Sequence, residues 1–163
     1  MMTRKVNPVP KGFHTVTPYL IVRGAADAIE FYQKTFDAEE RSRALSPDGA
    51  SIVHAELKIG NSIVLLADEV LAMGIPSPLA LNGTSVTLHL YVKNVDTLWQ
   101  RAIDAGAQVV VPLQDMYWGD RYGKLVDPFG HCWSLASHIE NLSREAISER
   151  AEAVYAVTAE TQA

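Results

Sequence analysis

HTVTPYLIV at residues 14–22 returns about 70 residues later as TSVTLHLYV at 84–92. Both stretches alternate side chains of opposite character, the period-two signature of a strand with two unlike faces. Their closing triplets, Leu20-Ile21-Val22 and Leu90-Tyr91-Val92, fall in the same register. Pro18 has no backbone N–H to give a ladder, so the first stretch is predicted at a sheet edge or a bulge. A repeat of this period is read before any local motif, because it fixes the architecture.

Outward from each copy the same order of elements follows. After the first, Ala28, Ile29, Tyr32 and Phe36 recur at helical spacing and predict an amphipathic helix. EERSRAL at 39–45 reads as a polar strand, and Ser46-Pro47-Asp48-Gly49 as a turn. SIVHAELKI at 51–59 alternates, with Val53, Ala55, Leu57 and Ile59 on one face and Ile52, His54, Glu56 and Lys58 on the other. Gly60-Asn61 turns tightly into SIVLLA at 62–67. After the second copy, Asn94 is placed to cap a helix over 95–105 with Leu98, Trp99, Ala102 and Ile103 on its buried side, and Gly106 fits its stop. Strands follow at 108–113, 118–126 and 131–137, the first ended at or just after Pro112 and the last two joined by the turn Asp127-Pro128-Phe129-Gly130. Val64-Leu65-Leu66-Ala67 and Trp133-Ser134-Leu135-Ala136 keep the halves in step.

The predicted class is α+β, two tandem βαβββ modules followed by a C-terminal helix. A lead-in at 1–12 precedes the first module at 13–68. A linker at 69–83 leads to the second module at 84–138, and the helix and tail occupy 139–163. Ser143 is expected to cap that last helix, with Leu142 and Ile147 as a hydrophobic staple, and Thr158 onward to fray. The linker reads as a plain connector, or as a lid that includes Met73.

Composition narrows the classes of function. The chain has 163 residues, 48% hydrophobic and 20% charged, with a formal charge of −5. That suits a globular domain and argues against a nucleic-acid coat, which needs a basic face. No apolar run reaches the ~18 residues of a membrane span, and the start lacks the apolar core of a secretory signal, so a cytoplasmic protein is expected. The single cysteine, Cys132, excludes an intramolecular disulfide and reads first as a buried structural thiol, second as a nucleophile.

Several stretches together resemble the vicinal oxygen chelate superfamily, in its PhnB-like branch. They are Thr17-Pro18-Tyr19-Leu20-Ile21-Val22, Ala28-Ile29-Glu30-Phe31-Tyr32, His54-Ala55-Glu56-Leu57, and Trp118-Gly119-Asp120-Arg121-Tyr122-Gly123 running into Asp127-Pro128-Phe129-Gly130-His131. The superfamily includes glyoxalase I, extradiol dioxygenases, fosfomycin-inactivating transferases and bleomycin-resistance proteins. The resemblance implies a curved mixed sheet lining a cup-shaped cavity, and a homodimer. It also implies four metal-ligand positions, one on the first and one on the last strand of each module. Here these carry Thr17, Leu65, Thr87 and Ser134, none an imidazole or carboxylate. No metal is therefore expected at the usual positions, and no other cofactor. The methyltransferase label used in this branch has no support, since no glycine-rich nucleotide loop follows a strand.

With that register, alternation turns Thr17, Tyr19, His54, Glu56, Thr87, His89, Tyr91 and Ser134 toward the cup, with Thr15, Cys132 and Ala136 beside them and His138 at the rim. Such a lining suits an aromatic or cationic small molecule, held without metal and sequestered rather than converted. His54 and Glu56 read as a polar face, as an acid–base pair of an isomerase or lyase, or with His89 as a relocated metal site. Trp118, Asp120, Arg121 and Tyr122 read either as a ligand clamp, with the guanidinium on an acid or ring, or as Trp118 and Tyr122 packed at a subunit boundary while Asp120 and Arg121 pair locally. His131, after the Asp127–Gly130 turn, is expected to satisfy backbone groups rather than bind a ligand.

Overall fold

The computed structural model describes residues 6–161, with side chains through residue 156. The chain divides into two compact units between Thr84 and Ser85. Each is a helix on a four-stranded mixed sheet.

In the first unit β1 (Tyr19–Val22), α1 (Ala25–Phe36), β2 (Glu39–Leu45), β3 (Ile52–Ile59) and β4 (Ser62–Asp68) follow in sequence. The sheet order is β1-β4-β3-β2, with β1 parallel to β4 and the other pairs antiparallel. The second unit repeats this with β5 (Thr87–Tyr91), α2 (Val95–Asp104), β6 (Gln108–Asp115), β7 (Asp120–Val126) and β8 (Cys132–His138). Its order is β5-β8-β7-β6, again with one parallel pair. A long helix, α3 (Arg144–Thr161), ends the described chain. The predicted α+β class and tandem βαβββ repeat are therefore the observed ones.

One face of each sheet carries the core. Leu20, Val22, Ala55, Leu57, Val64 and Leu66 are buried on the first, beneath Ala28, Ile29 and Tyr32 of α1. Leu125, Trp133 and Leu135 are buried on the second, beneath Leu98 and Ala102 of α2. Trp99 and Ile103 of α2 are only half-buried. Trp99 nevertheless lies against Gly123 of β7, where a Cβ would sit 2.5 Å from Trp99 Cζ3.

Several boundaries differ from expectation, each for a physical reason. The first strand begins at Tyr19, not at His14. The Thr17 hydroxyl donates to the His14 carbonyl at 2.9 Å and closes a turn, and Pro18 contributes only its carbonyl, which accepts from Leu65 N at 2.8 Å. β1 is an edge strand, as Pro18 requires. The second first-strand copy likewise begins at Thr87 rather than Thr84. Pro112 does not end β6, which runs on to Asp115, because β6 is also an edge and its pairing is irregular between Val111 and Gln114. Trp118 lies in the turn before β7 rather than in the strand.

On β3 the expected faces hold from His54 onward but not at its start: Ile52 is buried and Val53 exposed. Ala44 pairs with His54 and Leu45 with Ile52, so Val53 is the extra residue of a bulge. The linker is folded rather than plain. It holds a 3-10 turn, Leu71–Met73, and a four-residue helix, Pro78–Leu81, capped by the buried Ser77. The last helix starts as expected, with Ala146 N donating to Ser143 Oγ at 3.1 Å. It continues through Thr161, and Gln162 and Ala163 of the expected frayed end lie outside the described residues.

Candidate functional site

The faces of the two sheets opposite the helices carry most of the side chains singled out in the sequence. On the first, the ladder sets Tyr19 beside Leu65 and Leu65 beside Glu56. His54 lies two residues from Glu56 on the same side of β3. The Tyr19 hydroxyl is 3.2 Å from His54 Nδ1, and the two rings meet edge to face. His54 Nε2 is 3.9 Å from Glu56 Oε1, and both side chains are partly exposed. Thr17, expected among them, is not on the strand and has its hydroxyl committed to His14.

On the second sheet His89, Ser134 and Lys124 form one row across three strands, and Tyr91, Ala136 and Tyr122 form the next. His89 Nδ1 and Ser134 Oγ are 2.6 Å apart. The His89 ring lies nearly parallel to Tyr122 at 6.1 Å and edge-on to Tyr91 at 4.5 Å. Trp118 packs edge-on to Tyr122 at 5.5 Å. Thr87 is exposed at the start of the same face.

Asp120 anchors this group. Its carboxylate is buried, 3% exposed, and accepts from Tyr91 OH at 2.9 Å, Trp118 Nε1 at 3.0 Å and His138 Nδ1 at 2.7 Å. Burial pushes the Asp120 carboxyl up, but the hydrogen bonds from His138, Tyr91 and Trp118 outweigh it and hold the group below the usual carboxylate range. The hydrogen bond to Asp120 raises His138, and its Nε2 reaches Asn141 Oδ1 at 3.0 Å, so both ring nitrogens face acceptors and the imidazolium is favoured. The Asp120 bond also raises the Tyr91 phenol. The sequence puts Asp120 in one cluster with Arg121, as clamp or as local pair, and His138 at the rim, whereas Arg121 pairs with Asp96 and Asp115 instead. The signal was alternation: β7 turns Asp120 and Tyr122 to one face, and β8 turns His138 to meet them.

Arg121 faces the other way. It makes a bidentate contact with Asp96 in the first turn of α2, Nε and Nη2 to Oδ1 at 2.9 and 2.7 Å, and Nη1 reaches Asp115 at 2.9 Å. Those bonds hold its guanidinium well above its ordinary value. Arg121 therefore joins helix to sheet and does not share the face of Trp118 and Tyr122. The His131 backbone N–H donates to Asp127 Oδ1 at 2.9 Å, and Trp133 Nε1 donates to Oδ2 at 2.8 Å.

Residues 12–135 match the model of the glyoxalase/bleomycin resistance protein/dioxygenase superfamily. The chain belongs to this superfamily. The uncharacterized protein Mb0911c of Mycobacterium bovis is 47% identical over 135 residues, 81% of this chain and 88% of that one. The solved structure of the Arabidopsis thaliana At5g48480 product has a TM-score of 0.61 at 30% identity, covering 76% of this chain and 98% of that one. A PhnB protein from Bacillus cereus shares the fold at 19% identity, with a TM-score of 0.61 over 76% of this chain and 99% of that one.

The metal-ligand positions that the superfamily implies do not fit a divalent transition ion here. The Thr17 hydroxyl is tied to a backbone carbonyl, Leu65 has no donor, and Ser134 is engaged with His89. None of the four positions carries an imidazole or carboxylate, and neutral hydroxyls are poor ligands for such an ion. Among the described residues no three His, Cys, Asp or Glu side chains are grouped to hold a metal.

Proposed function

We propose that this superfamily member binds a planar aromatic small molecule on the open face of its second sheet and sequesters it without metal. The observation that carries this reading is the ring set His89, Tyr91, Trp118 and Tyr122, fixed on one face by bonds to Ser134 and the buried Asp120. Rings already held in place lose little conformational freedom when a flat ligand stacks on them. Calorimetric titration of metal-stripped protein with planar aromatic compounds tests it. Micromolar binding, weakened at least tenfold by Tyr122→Ala, is expected. No binding below millimolar concentration to any of the compounds refutes it.

A second reading is an isomerase or lyase that uses the first sheet. It is favoured by the line Tyr19–His54–Glu56, where hydroxyl, imidazole and carboxylate follow one another at 3.2 and 3.9 Å. Turnover lost in both His54→Ala and Glu56→Gln, with folding intact, would select it over sequestration. We also propose a cytoplasmic homodimer. Leu71, Met73 and Leu81 of the linker are exposed and offer apolar contact area, and sedimentation equilibrium reads the mass directly.

A further inference from the structure

The two units differ in one corner, and that corner has an unmatched charge. In the first, Arg23 follows β1 and Glu69 follows β4, and the two form an ion pair. Glu69 also accepts from Ser77 Oγ at 2.6 Å and Ser77 N at 3.0 Å. The parallel ladders place Tyr19 against Leu65 in the first unit and His89 against Ser134 in the second. Counting on from those pairs, Arg23 corresponds to Lys93 and Glu69 to His138. The helix starts confirm the match: Asp68 accepts from Ala25 N at 2.8 Å, and Ser137 Oγ from Val95 N at 3.0 Å. Where the first unit sets a cation against a carboxylate, the second sets two basic groups side by side.

These two line an open pocket with Tyr91, Val92 and Ser137. Asp120 compensates His138, but Lys93 is exposed and has no ion-pair partner among the described residues. Lys124, in the row of His89 and Ser134, has none either. The pocket adjoins the ring set through Tyr91, whose ring contacts His89. Among the described residues, Lys93, Lys124 and His138 thus stand on this face with the carboxylate of Asp120. The chain's charge of −5 is an average over the whole surface, and here the local sign is opposite.

We propose that the ligand of the aromatic face is an organic anion, its rings on His89 and Tyr122 and its acidic group in the pocket between Lys93 and His138. This rests on the aromatic-face reading and adds the charge of the ligand to it. An anion there gains a charge-assisted bond from Lys93 and lies in the field of the His138 ring, whose two nitrogens stay on Asp120 and Asn141.

The test compares three ligands of one ring system: 2-naphthoate, the neutral 2-naphthylmethanol and the cationic 2-naphthylmethylammonium. Titration at pH 6 is expected to give naphthoate about fivefold tighter than the alcohol, and the ammonium weaker than both. Lys93→Met, which keeps the aliphatic stem, is expected to bring the acid-to-alcohol ratio close to one. Thermal melting checks that the variant folds, and the exposed position makes that the expected result. Naphthoate binding no tighter than the alcohol overturns the proposal while leaving the aromatic reading intact. So does a ratio unchanged in both Lys93→Met and His138→Gln. If none of the three ligands binds, the aromatic reading fails and this proposal with it.

Discussion

At the scale of single residues, orientation matters more than identity. Arg121 and Tyr122 are neighbours in sequence, yet one braces α2 and the other faces outward, because successive strand residues alternate. Arg121→Met is expected to cost about 1 kcal/mol, as partly exposed ion pairs do, and to leave ligand affinity unchanged. Urea unfolding and titration of the same variant separate the two effects, and a tenfold loss of affinity would return Arg121 to the site. Gly119 is a second example. Its φ is 96°, and an added Cβ would run into the Glu140 carbonyl. The Gly119 carbonyl accepts from both Ile139 N and Glu140 N at 3.0 Å, so it also fixes the segment after His138. Gly119→Ala is expected to destabilise the chain by about 2 kcal/mol or more, measured by chemical denaturation.

Among elements, the two sheets solve the same problem with different chemistry. Helix α1 begins at Ala25 rather than near Ala28 because a carboxylate from another strand receives its first N–H groups. Asp68 Oδ1 accepts from Gly24 N and Ala25 N, and Oδ2 accepts from Ile52 N at 2.8 Å, so one side chain joins β4, α1 and β3. Asp68→Ala leaves those donors unmatched and is expected to cost about 2 kcal/mol in urea unfolding. In the second sheet, the link between β7 and β8 is ionisable. His138 is raised and Asp120 lowered, and Tyr91, Lys93 and Glu140 are the other ionisable groups near them. A raised histidine stabilises the fold below its unfolded value of 6.5, and this contribution fades as pH rises through the higher folded value. A lowered carboxylate acts above 3.8 and fades as pH falls through its folded value. The advantage of the native chain over His138→Gln should therefore be largest between pH 4 and 6.5 and shrink above that. An advantage that grows from pH 6 to 9 would contradict the pairing.

Over the whole molecule, the repeat was legible because strand alternation and helix spacing are written in single residues. The boundaries were less so. The alternation of 14–22 hides the turn at Thr17, because its hydroxyl bonds a main-chain carbonyl that leaves no mark in the side-chain pattern, and nothing marks Pro112 as tolerable until β6 is known to be an edge. The site was half legible. His89, Tyr91 and Ser134 follow from alternation, which also sets Asp120 on the face of Tyr122, whereas the bonds from Tyr91 and His138 that make Asp120 an anchor depend on separate strands meeting. Ion dependence also belongs to this scale. Dialysis against EDTA is expected to change neither Tm nor ligand affinity, and an affinity lost there and restored by manganese or nickel would return a metal to the mechanism.

Each first strand finds its parallel partner inside its own half: β1 on β4, β5 on β8. Among the described residues no ladder crosses from one half to the other, so a lineage can alter one copy without unravelling its twin. A duplicated module of this kind offers evolution a spare. The two corners already hold different chemistry, Arg23 paired with Glu69 beside the first helix start and His138 with Asp120 beside the second.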